Sequence, residues 1–286
     1  MRFKKYILYS FLILLSSFIL TSCFVLNKYI YTDNELAQHY EQKKTKPCYK
    51  KIKFHNSSLH YVVMCKNDTL PLLILVHGAP GAWYGYMNLM DDTLLQQNYK
   101  LIAIDRLGYG KSNYGKAETS TQMQAMAIKE IIDQENSSGK KVVLLGRSYG
   151  APIAALLSIH YPQQIEKLFM ISPVIDPQHE KFYWFSSIGK WKPVQWFLPK
   201  MLNVATKEKY SHQREMKTML PEWKKLYTPT YVITGANDQI ADTCNYSFAK
   251  DHIQNCPSVF LKLQNTGHLV TYEQPELIRN LLLQNL

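Results

Sequence analysis

The chain has 286 residues, 46% of them hydrophobic, and a formal net charge of +11. This length fits one α/β domain with an inserted cap, and no repeat or low-complexity linker marks a second domain. The basic residues are scattered rather than aligned in a stripe, which argues against nucleic-acid binding and favours a solvated basic surface. No pair of cysteines has the spacing of a metal site.

The N-terminus has the three parts of an export signal. Residues 1–5 are basic, residues 6–20 form a short apolar core, and Leu20-Thr21-Ser22 stand directly before Cys23. An aliphatic residue and two small residues before a cysteine resemble the lipobox of bacterial lipoproteins. The resemblance implies that the signal is removed and that Cys23 carries a lipid.

This pattern predicts a signal peptide at residues 1–22, a polar tether at 23–47 and a folded domain at 48–286. The domain is then expected on a membrane of the cell envelope, outside the cytoplasm, and the positive charge before the apolar core agrees with that orientation. An uncleaved anchor is the alternative, because apolar character continues through Leu26 to about 20 residues, which is long enough to span a bilayer.

The domain begins with a predicted β-hairpin, formed by residues 49–54 and 59–64. Pairing of these two strands places Cys48 nearly opposite Cys65. A cross-strand disulfide is therefore within reach, and an exported domain can form one.

Cys244 and Cys256 flank a predicted helix of about ten residues. At 1.5 Å per residue, the ends of such a helix are about 15 Å apart. A disulfide needs Cα atoms within about 7 Å, so no bridge is expected here unless the helix ends early.

After the hairpin, apolar runs that end in turns alternate with helix-like segments. This pattern is typical of an α/β fold with a mostly parallel central sheet and helices on both faces. The predicted strands are Pro71–Val76, Leu101–Ile104, Lys141–Leu145, Leu168–Ser172, Pro229–Thr234 and Ser258–Leu263.

The segment Gly146-Arg147-Ser148-Tyr149-Gly150 joins a predicted strand to a predicted helix. A strand, a sharp turn and a helix in this order strain the central serine, and side chains at the flanking glycines would collide with the strand and the helix. The hydroxyl of Ser148 then stands at a helix N-terminus, where developing negative charge is favoured. Ser148 is the candidate nucleophile, and a glycine-rich turn without chemistry is the alternative.

A nucleophilic serine needs a base and a carboxylate that orients the base. Asp238 and His268 both lie in turns that follow predicted strands, and with Ser148 they give the chain order Ser, Asp, His. These three residues are predicted to form a catalytic triad. Asp176 is the main rival for the acid, a helix N-cap is the other role open to Asp238, and a surface position is the alternative for His268.

An oxyanion hole needs one backbone N–H from the residue after the nucleophile and one from an early βα loop. Tyr149 is expected to supply the first, and Ala79, within His77-Gly78-Ala79-Pro80-Gly81, the second. His77 is interpreted as a structural residue that bridges loops. Asp105 is expected to hold together the glycine-rich turn that it begins.

In this order and spacing, these pieces resemble the α/β-hydrolase superfamily over roughly residues 50–286, and within it the group with a His-Gly-x-Pro-Gly oxyanion loop. The resemblance implies an α/β-hydrolase fold with a helical cap inserted after the sixth strand. Epoxide hydrolases and haloalkane dehalogenases with this loop use an aspartate nucleophile, whereas this chain has Ser148. Prolyl iminopeptidases typically have two glycines before the serine, whereas Gly146-Arg147 stands here.

The cap is expected at about residues 178–228, because the connection there is too long for a simple loop. It is rich in aromatic residues and contains several prolines, which predict short helices. The aromatic residues favour an apolar acyl or aromatic substrate group, although they can equally pack the cap onto the core. Trp83, next to the oxyanion loop, is the candidate for the substrate pocket.

The expected function is that of a membrane-tethered serine hydrolase of the carboxylesterase type, acting on a small ester or related acyl substrate, with no cofactor or metal. A carbon–carbon bond hydrolase, a peptidase-like amidase and a haloperoxidase-like enzyme are alternatives on the same fold. A non-catalytic binding protein of the envelope is an alternative of another class. The preference among ester, thioester, amide and lactone stays open, as does the oligomeric state.

Overall fold

The computed structural model describes residues 30–65, 67–137, 139–182 and 189–284. The predicted signal peptide and the predicted lipidation site Cys23 lie outside these residues.

A single sheet forms the centre of the described chain. Its strands are β1 (Cys48–Phe54), β2 (Ser57–Met64), β3 (Leu72–Val76), β4 (Lys100–Ile104), β5 (Val142–Arg147), β6 (Ile165–Ile171), β7 (Thr230–Gly235) and β8 (Ser258–Leu263). They lie in the order β1-β2-β4-β3-β5-β6-β7-β8. β2 is antiparallel to β1 and β4, and the other neighbours are parallel. The mostly parallel sheet predicted from the sequence is confirmed.

Helices cover both faces of the sheet. They are α1 (Asp33–Glu41), α2 (Met87–Met90), α3 (Thr93–Asn98), α4 (Thr121–Glu135), α5 (Gly150–His160), α6 (Lys192–Phe197), α7 (Lys200–Met219), α8 (Cys244–His252), α9 (Val270–Glu273) and α10 (Pro275–Leu283), with 3-10 turns at Trp83–Tyr86 and Leu220–Lys225. Two hydrophobic cores lie on opposite faces of the sheet, and the side chains of β3 pack alternately into one and the other. Leu72, Ile74 and Val76 pack in the core that contains α4 and α5. Leu73 and Leu75 pack in the core that contains α1 and α10, so β3 is a continuous apolar run because both of its faces are buried.

Part of the predicted tether is folded onto the domain. Thr32 caps α1: its Oγ1 accepts from the Glu35 N–H at 3.2 Å, and the Glu35 carboxylate accepts from the Thr32 N–H at 2.7 Å. The helix buries Leu36 and Tyr40 against the core. The tether predicted for 23–47 is therefore corrected for residues 33–41, because a capping box and two buried side chains hold this helix on the domain.

The predicted disulfide is wrong: Cys48 and Cys65 are both free thiols. The register pairs Cys48 with Val63, so Cys65 lies two positions beyond the opposite residue. The physical reason is the tight turn between β1 and β2, in which His55 takes a left-handed backbone with φ 47°. Cys244 and Cys256 are free as well.

The cap lies between β6 and β7, as expected, and consists of α6, α7 and the 3-10 turn Leu220–Lys225. A buried ion pair fastens it to the core: the Arg106 guanidinium donates to both carboxylate oxygens of Glu208, at 2.6 and 3.1 Å. Neither side chain is exposed. The Tyr109 hydroxyl donates to the same carboxylate at 2.6 Å. Two buried charges are stable in this way only when paired and hydrogen-bonded.

Replacing Glu208 with glutamine leaves the buried Arg106 charge without a counter-ion. Such an uncompensated charge costs about 3–5 kcal/mol. We therefore expect Glu208→Gln to lower the free energy of unfolding by an amount in that range, measured by urea denaturation. The control is Glu222→Gln, which removes a surface pair with Lys225 and should change the free energy by less than about 1 kcal/mol. Equal losses in the two variants would contradict the role of the buried pair.

Candidate active site

Ser148 occupies the sharp turn between β5 and α5 and has a left-handed backbone, with φ 53°. A Cβ atom on Gly146 would lie 2.5 Å from the carbonyl oxygen of Gly150. A Cβ atom on Gly150 would lie 2.2 Å from the carbonyl oxygen of Val76. Neither position can take a side chain unless backbone moves, which is the steric reason for both glycines. The turn leaves Ser148 partly exposed at the N-terminus of α5.

The loop after β3 lies directly against Ser148. A Cβ atom on Gly78 would be 3.1 Å from Ser148 Cβ and 3.6 Å from Ser148 Oγ. The backbone N–H groups of Ala79 and Tyr149, the two predicted oxyanion donors, donate no hydrogen bond to any residue that the structure describes.

His77 is fully buried and joins this loop to the loop after β4. Its Nε2 accepts from the backbone N–H of Arg106 at 3.0 Å, and its Nδ1 donates to the carbonyl oxygen of Gly78 at 2.6 Å. Burial and the charge of Arg106 hold the pKa of His77 well below its usual range. A neutral ring fits this pattern of one acceptor and one donor, and it agrees with the structural role predicted for His77.

Asp105 holds the turn after β4, in agreement with its predicted role. Its Oδ2 accepts from the backbone N–H of Lys111 at 2.9 Å and is 2.7 Å from Nδ1 of His60. Its Oδ1 accepts from the backbone N–H of Trp83 at 2.8 Å, which also fixes the start of the 3-10 turn.

The structure brings Asp238 and His268 together. Nδ1 of His268 lies 2.7 Å from Oδ2 of Asp238, and the two side chains are 9% and 4% exposed. The other carboxylate oxygen accepts from the N–H groups of Ile240 and Ala241, both at 2.9 Å. Asp238 thus caps its own turn and also orients the histidine. Donation by Nδ1 leaves Nε2 of His268 as the basic nitrogen.

Asp176, the rival acid, makes different contacts. Its Oδ2 is 2.7 Å from Nδ1 of His179, and its Oδ1 accepts from the Gln178 N–H at 2.8 Å. The carboxylate that contacts His268 is therefore Asp238.

The three predicted triad residues lie in the loops after β5, β7 and β8, at the carboxyl edge of the parallel strands. Ligands bind at this edge in open α/β sheets. Among the described contacts, no hydrogen bond joins Ser148 Oγ to His268. Catalytic hydrogen bonds in ligand-free sites are often long and shorten only in the substrate complex.

Arg147 is a site residue for which no role was predicted. It is 8% exposed, and its guanidinium donates to Thr271 Oγ1 at 2.9 Å and to the carbonyl oxygen of Gly85 at 3.3 Å. It thereby ties the residue before Ser148 to the helix that follows His268. The only signal in the sequence is a basic residue at the end of an apolar strand.

Trp83 is buried and lines a cavity of about 180 Å³ whose lining includes none of Ser148, Asp238 and His268. In the described ranges, no cluster of histidine, cysteine and acidic side chains is arranged to hold a metal ion. The helices in those ranges are also too short or too polar to cross a membrane.

Comparison with known proteins extends these observations. A model of the α/β hydrolase fold family matches residues 71–205. Over 127 residues the chain is 33% identical to epoxide hydrolase 4 of Mus musculus, a match that covers 44% of this chain and 34% of that protein. Over 124 residues it is 27% identical to a proline iminopeptidase of Lactobacillus helveticus (strain DPC 4571), covering 43% of this chain and 42% of that protein. The matches therefore span less than half the length of these curated relatives.

A solved structure of similar shape is the 2-hydroxy-6-oxo-6-phenylhexa-2,4-dienoate hydrolase of Rhodococcus sp. strain RHA1. It superimposes with a TM-score of 0.65 and 15% identity, covering 85% of this chain and 99% of that chain. A likeness at this identity concerns the fold alone. The chain therefore has the fold of the α/β hydrolases, and residues 71–205 are similar in sequence to that fold family.

Proposed function

We propose that the chain is a serine hydrolase of the carboxylesterase type, which cleaves a small ester or related acyl substrate through Ser148, His268 and Asp238. The hydrogen bond of 2.7 Å between Asp238 and His268 is the observation that carries the proposal. It lies at the same edge of the sheet as Ser148, whose left-handed turn presents a hydroxyl at a helix N-terminus. This set of groups is suited to acyl transfer to serine.

In the first step, Nε2 of His268 takes the proton of Ser148 Oγ, and that oxygen attacks the carbonyl carbon of the substrate. Asp238 keeps the imidazole in the tautomer with a basic Nε2 and stabilises the imidazolium that forms. The N–H groups of Ala79 and Tyr149 bind the oxyanion. His268 then protonates the leaving group, which departs and leaves an acyl group on Ser148.

In the second step, water gives a proton to His268 and attacks the acyl group. The bond to Ser148 Oγ breaks, the acid is released, and the proton returns from His268 to Ser148. The N–H groups of Ala79 and Tyr149 bind the oxyanion in both steps, so the oxyanion hole acts twice in each turnover.

The identity of the nucleophile argues against epoxide hydrolysis, the activity named for one of the relatives. The chain is similar to epoxide hydrolase 4 of Mus musculus, but epoxide hydrolases with this oxyanion loop use an aspartate where this chain has Ser148. Acylation of a serine, followed by attack of water on the acyl group, needs a carbonyl substrate and an oxyanion hole. The N–H groups of Ala79 and Tyr149, which donate to no residue in the described part of the chain, support that chemistry.

We also propose that the enzyme is tethered to a membrane of the cell envelope by a lipid on Cys23. The support is the signal and lipobox pattern of residues 1–23. Thr32 already caps a helix that is packed on the domain. The residues between Cys23 and Thr32 span at most about 30 Å when extended, so the tether would hold the domain close to the membrane surface.

Ser148→Ala removes the attacking oxygen while the turn keeps its backbone. We expect the rate of hydrolysis of short p-nitrophenyl esters to fall by about 10⁶-fold in kcat, as loss of a triad nucleophile does elsewhere, with an unchanged melting temperature. Ser137→Ala, at an exposed serine, is the control and should keep full activity. Unchanged turnover in Ser148→Ala would sink the assignment.

Asp238→Asn keeps the shape of the acid but removes its charge and its preference for one imidazole tautomer. A loss of about 10⁴-fold in kcat is expected, measured on the same esters. Asp176→Asn is the matched control, because Asp176 contacts His179 rather than His268. A larger loss in Asp176→Asn than in Asp238→Asn would reverse the assignment of the acid.

Cys23→Ser removes the sulfur that would carry the lipid. We expect the full chain, expressed in a bacterial host, to lose incorporation of an alkyne fatty acid. Cys48→Ser, at an exposed free thiol, should stay labelled and membrane-bound. Labelling that persists in Cys23→Ser would contradict lipidation of Cys23, and an unlabelled wild-type chain in the membrane fraction would favour the uncleaved anchor.

A further inference from the structure

A cavity of about 180 Å³ lies at the carboxyl edge of the sheet, apart from the triad. Five aromatic side chains line it: Tyr31, Tyr49, Trp83, Tyr84 and Tyr114. They come from four different parts of the chain, namely the segment before α1, β1, the 3-10 turn after β3 and the loop after β4. The cavity is therefore a product of the tertiary fold and has no local sequence signature.

The rings around the cavity meet edge to face. The ring centroids of Tyr31 and Tyr84 are 5.6 Å apart at 63°, and those of Tyr49 and Trp83 are 5.8 Å apart at 75°. Aromatic rings prefer such contacts because the positive edge of one ring meets the negative face of another. A flat ring entering the cavity would find both faces and edges to pack against.

The charged groups that line the cavity are already paired. Asp33 and Lys111 form an ion pair at 2.7 Å. The carboxylate of Asp105 accepts from backbone N–H groups and contacts His60, as described above. Because each of these charged groups already has a partner, the cavity suits an uncharged group better than a charged one.

The cavity is continuous with the oxyanion loop. Gly81 of that loop lines it, and so does Met201 of the cap. Met201 belongs to a small apolar cluster against which Ala79 packs. β3 lies between β4 and β5 in the sheet. With strands spaced by about 4.8 Å, the loop after β4 is roughly 10 Å from the turn that carries Ser148.

We infer that this cavity binds an uncharged aromatic ring on the part of the substrate that is remote from the scissile carbonyl. The inference rests on the proposed function and narrows its substrate class to aryl-bearing esters. An apolar cavity of roughly 150 Å³ in another protein holds benzene, so the volume here fits one ring and not the two acyl chains of a diacyl lipid. The aromatic walls favour a ring over an alkyl chain of similar size.

The test compares two pairs of esters that differ only in a terminal group: 2-phenylethyl acetate with hexyl acetate, and ethyl 4-phenylbutanoate with ethyl octanoate. The full chain in detergent is assayed by pH-stat titration. We expect the aryl ester to have the higher kcat/KM in at least one pair. The double variant Tyr31→Ala/Tyr114→Ala should lower that aryl-to-alkyl ratio by about 10-fold, since it removes two ring contacts.

Both substituted tyrosines are partly exposed, at 40% and 47%, so the double variant should fold, and its melting curve checks this. The matched control is Tyr227→Ala, at an exposed tyrosine that does not line the cavity, and it should keep the wild-type ratio. An absent aryl preference, or a ratio that the double variant leaves unchanged, would overturn the inference while the serine mechanism stands.

A binding measurement separates the cavity from catalysis. Titration of the full-length Ser148→Ala variant with 2-phenylethanol, followed by calorimetry, should give saturable binding that Tyr31→Ala/Tyr114→Ala weakens by about 10-fold. If no ester is hydrolysed by the wild-type chain, the proposed function fails and this titration still decides the cavity. Binding of 2-phenylethanol that is not saturable, or that has the same affinity in the double variant, contradicts the inference that the cavity binds an aromatic ring.

Discussion

The close approach of helix α5 to strand β3 is the constraint on which the rest of the site depends. A Cβ atom on Gly150 would lie 2.2 Å from the carbonyl oxygen of Val76 and 2.7 Å from that of His77. This contact holds the start of α5 beneath the loop after β3, and it therefore sets Ser148 and the Tyr149 N–H beside that loop. A side chain at position 150 would push the helix away from β3. The two N–H groups proposed to bind the oxyanion come from these two elements and would then separate.

Arg106 makes the position of the cap depend on the same loop. Its guanidinium donates to the carbonyl oxygens of His77 and Gly78, at 2.9 and 3.1 Å, as well as to Glu208 of the cap. It also lies 4.8 Å from the centre of the Tyr149 ring. A buried ion pair adds little net stability over apolar side chains of the same volume. Its consequence here is geometric, because α7 cannot move without disturbing the loop that faces Ser148.

Local signals in the sequence were enough to predict the sheet, the turn at Ser148 and the contact of Asp238 with His268. Apolar runs and paired glycines are properties of short segments, and the order of the triad residues along the chain can be read directly from the sequence. The predictions that rest on these signals agree with the fold. The contacts that were missed depend on tertiary structure or on turn geometry. Arg147 reaches Thr271 across 124 positions of the chain. The hairpin register differs by two residues because the turn is tighter than its sequence indicates.

Helix α1 shows how a segment outside the predicted domain comes to matter for the site. It has nine residues, and isolated helices shorter than about 12–15 residues are marginal in water. Its order therefore depends on the packing of Leu36 and Tyr40 and on ion pairs such as Asp33 with Lys111. Because Tyr31 and Leu36 form part of the aromatic cavity, that cavity is complete only while α1 is docked. A ligand that contacts α1 and the core at once must stabilise the docked state, so occupancy of the cavity and docking of the segment that leads from Cys23 are thermodynamically linked.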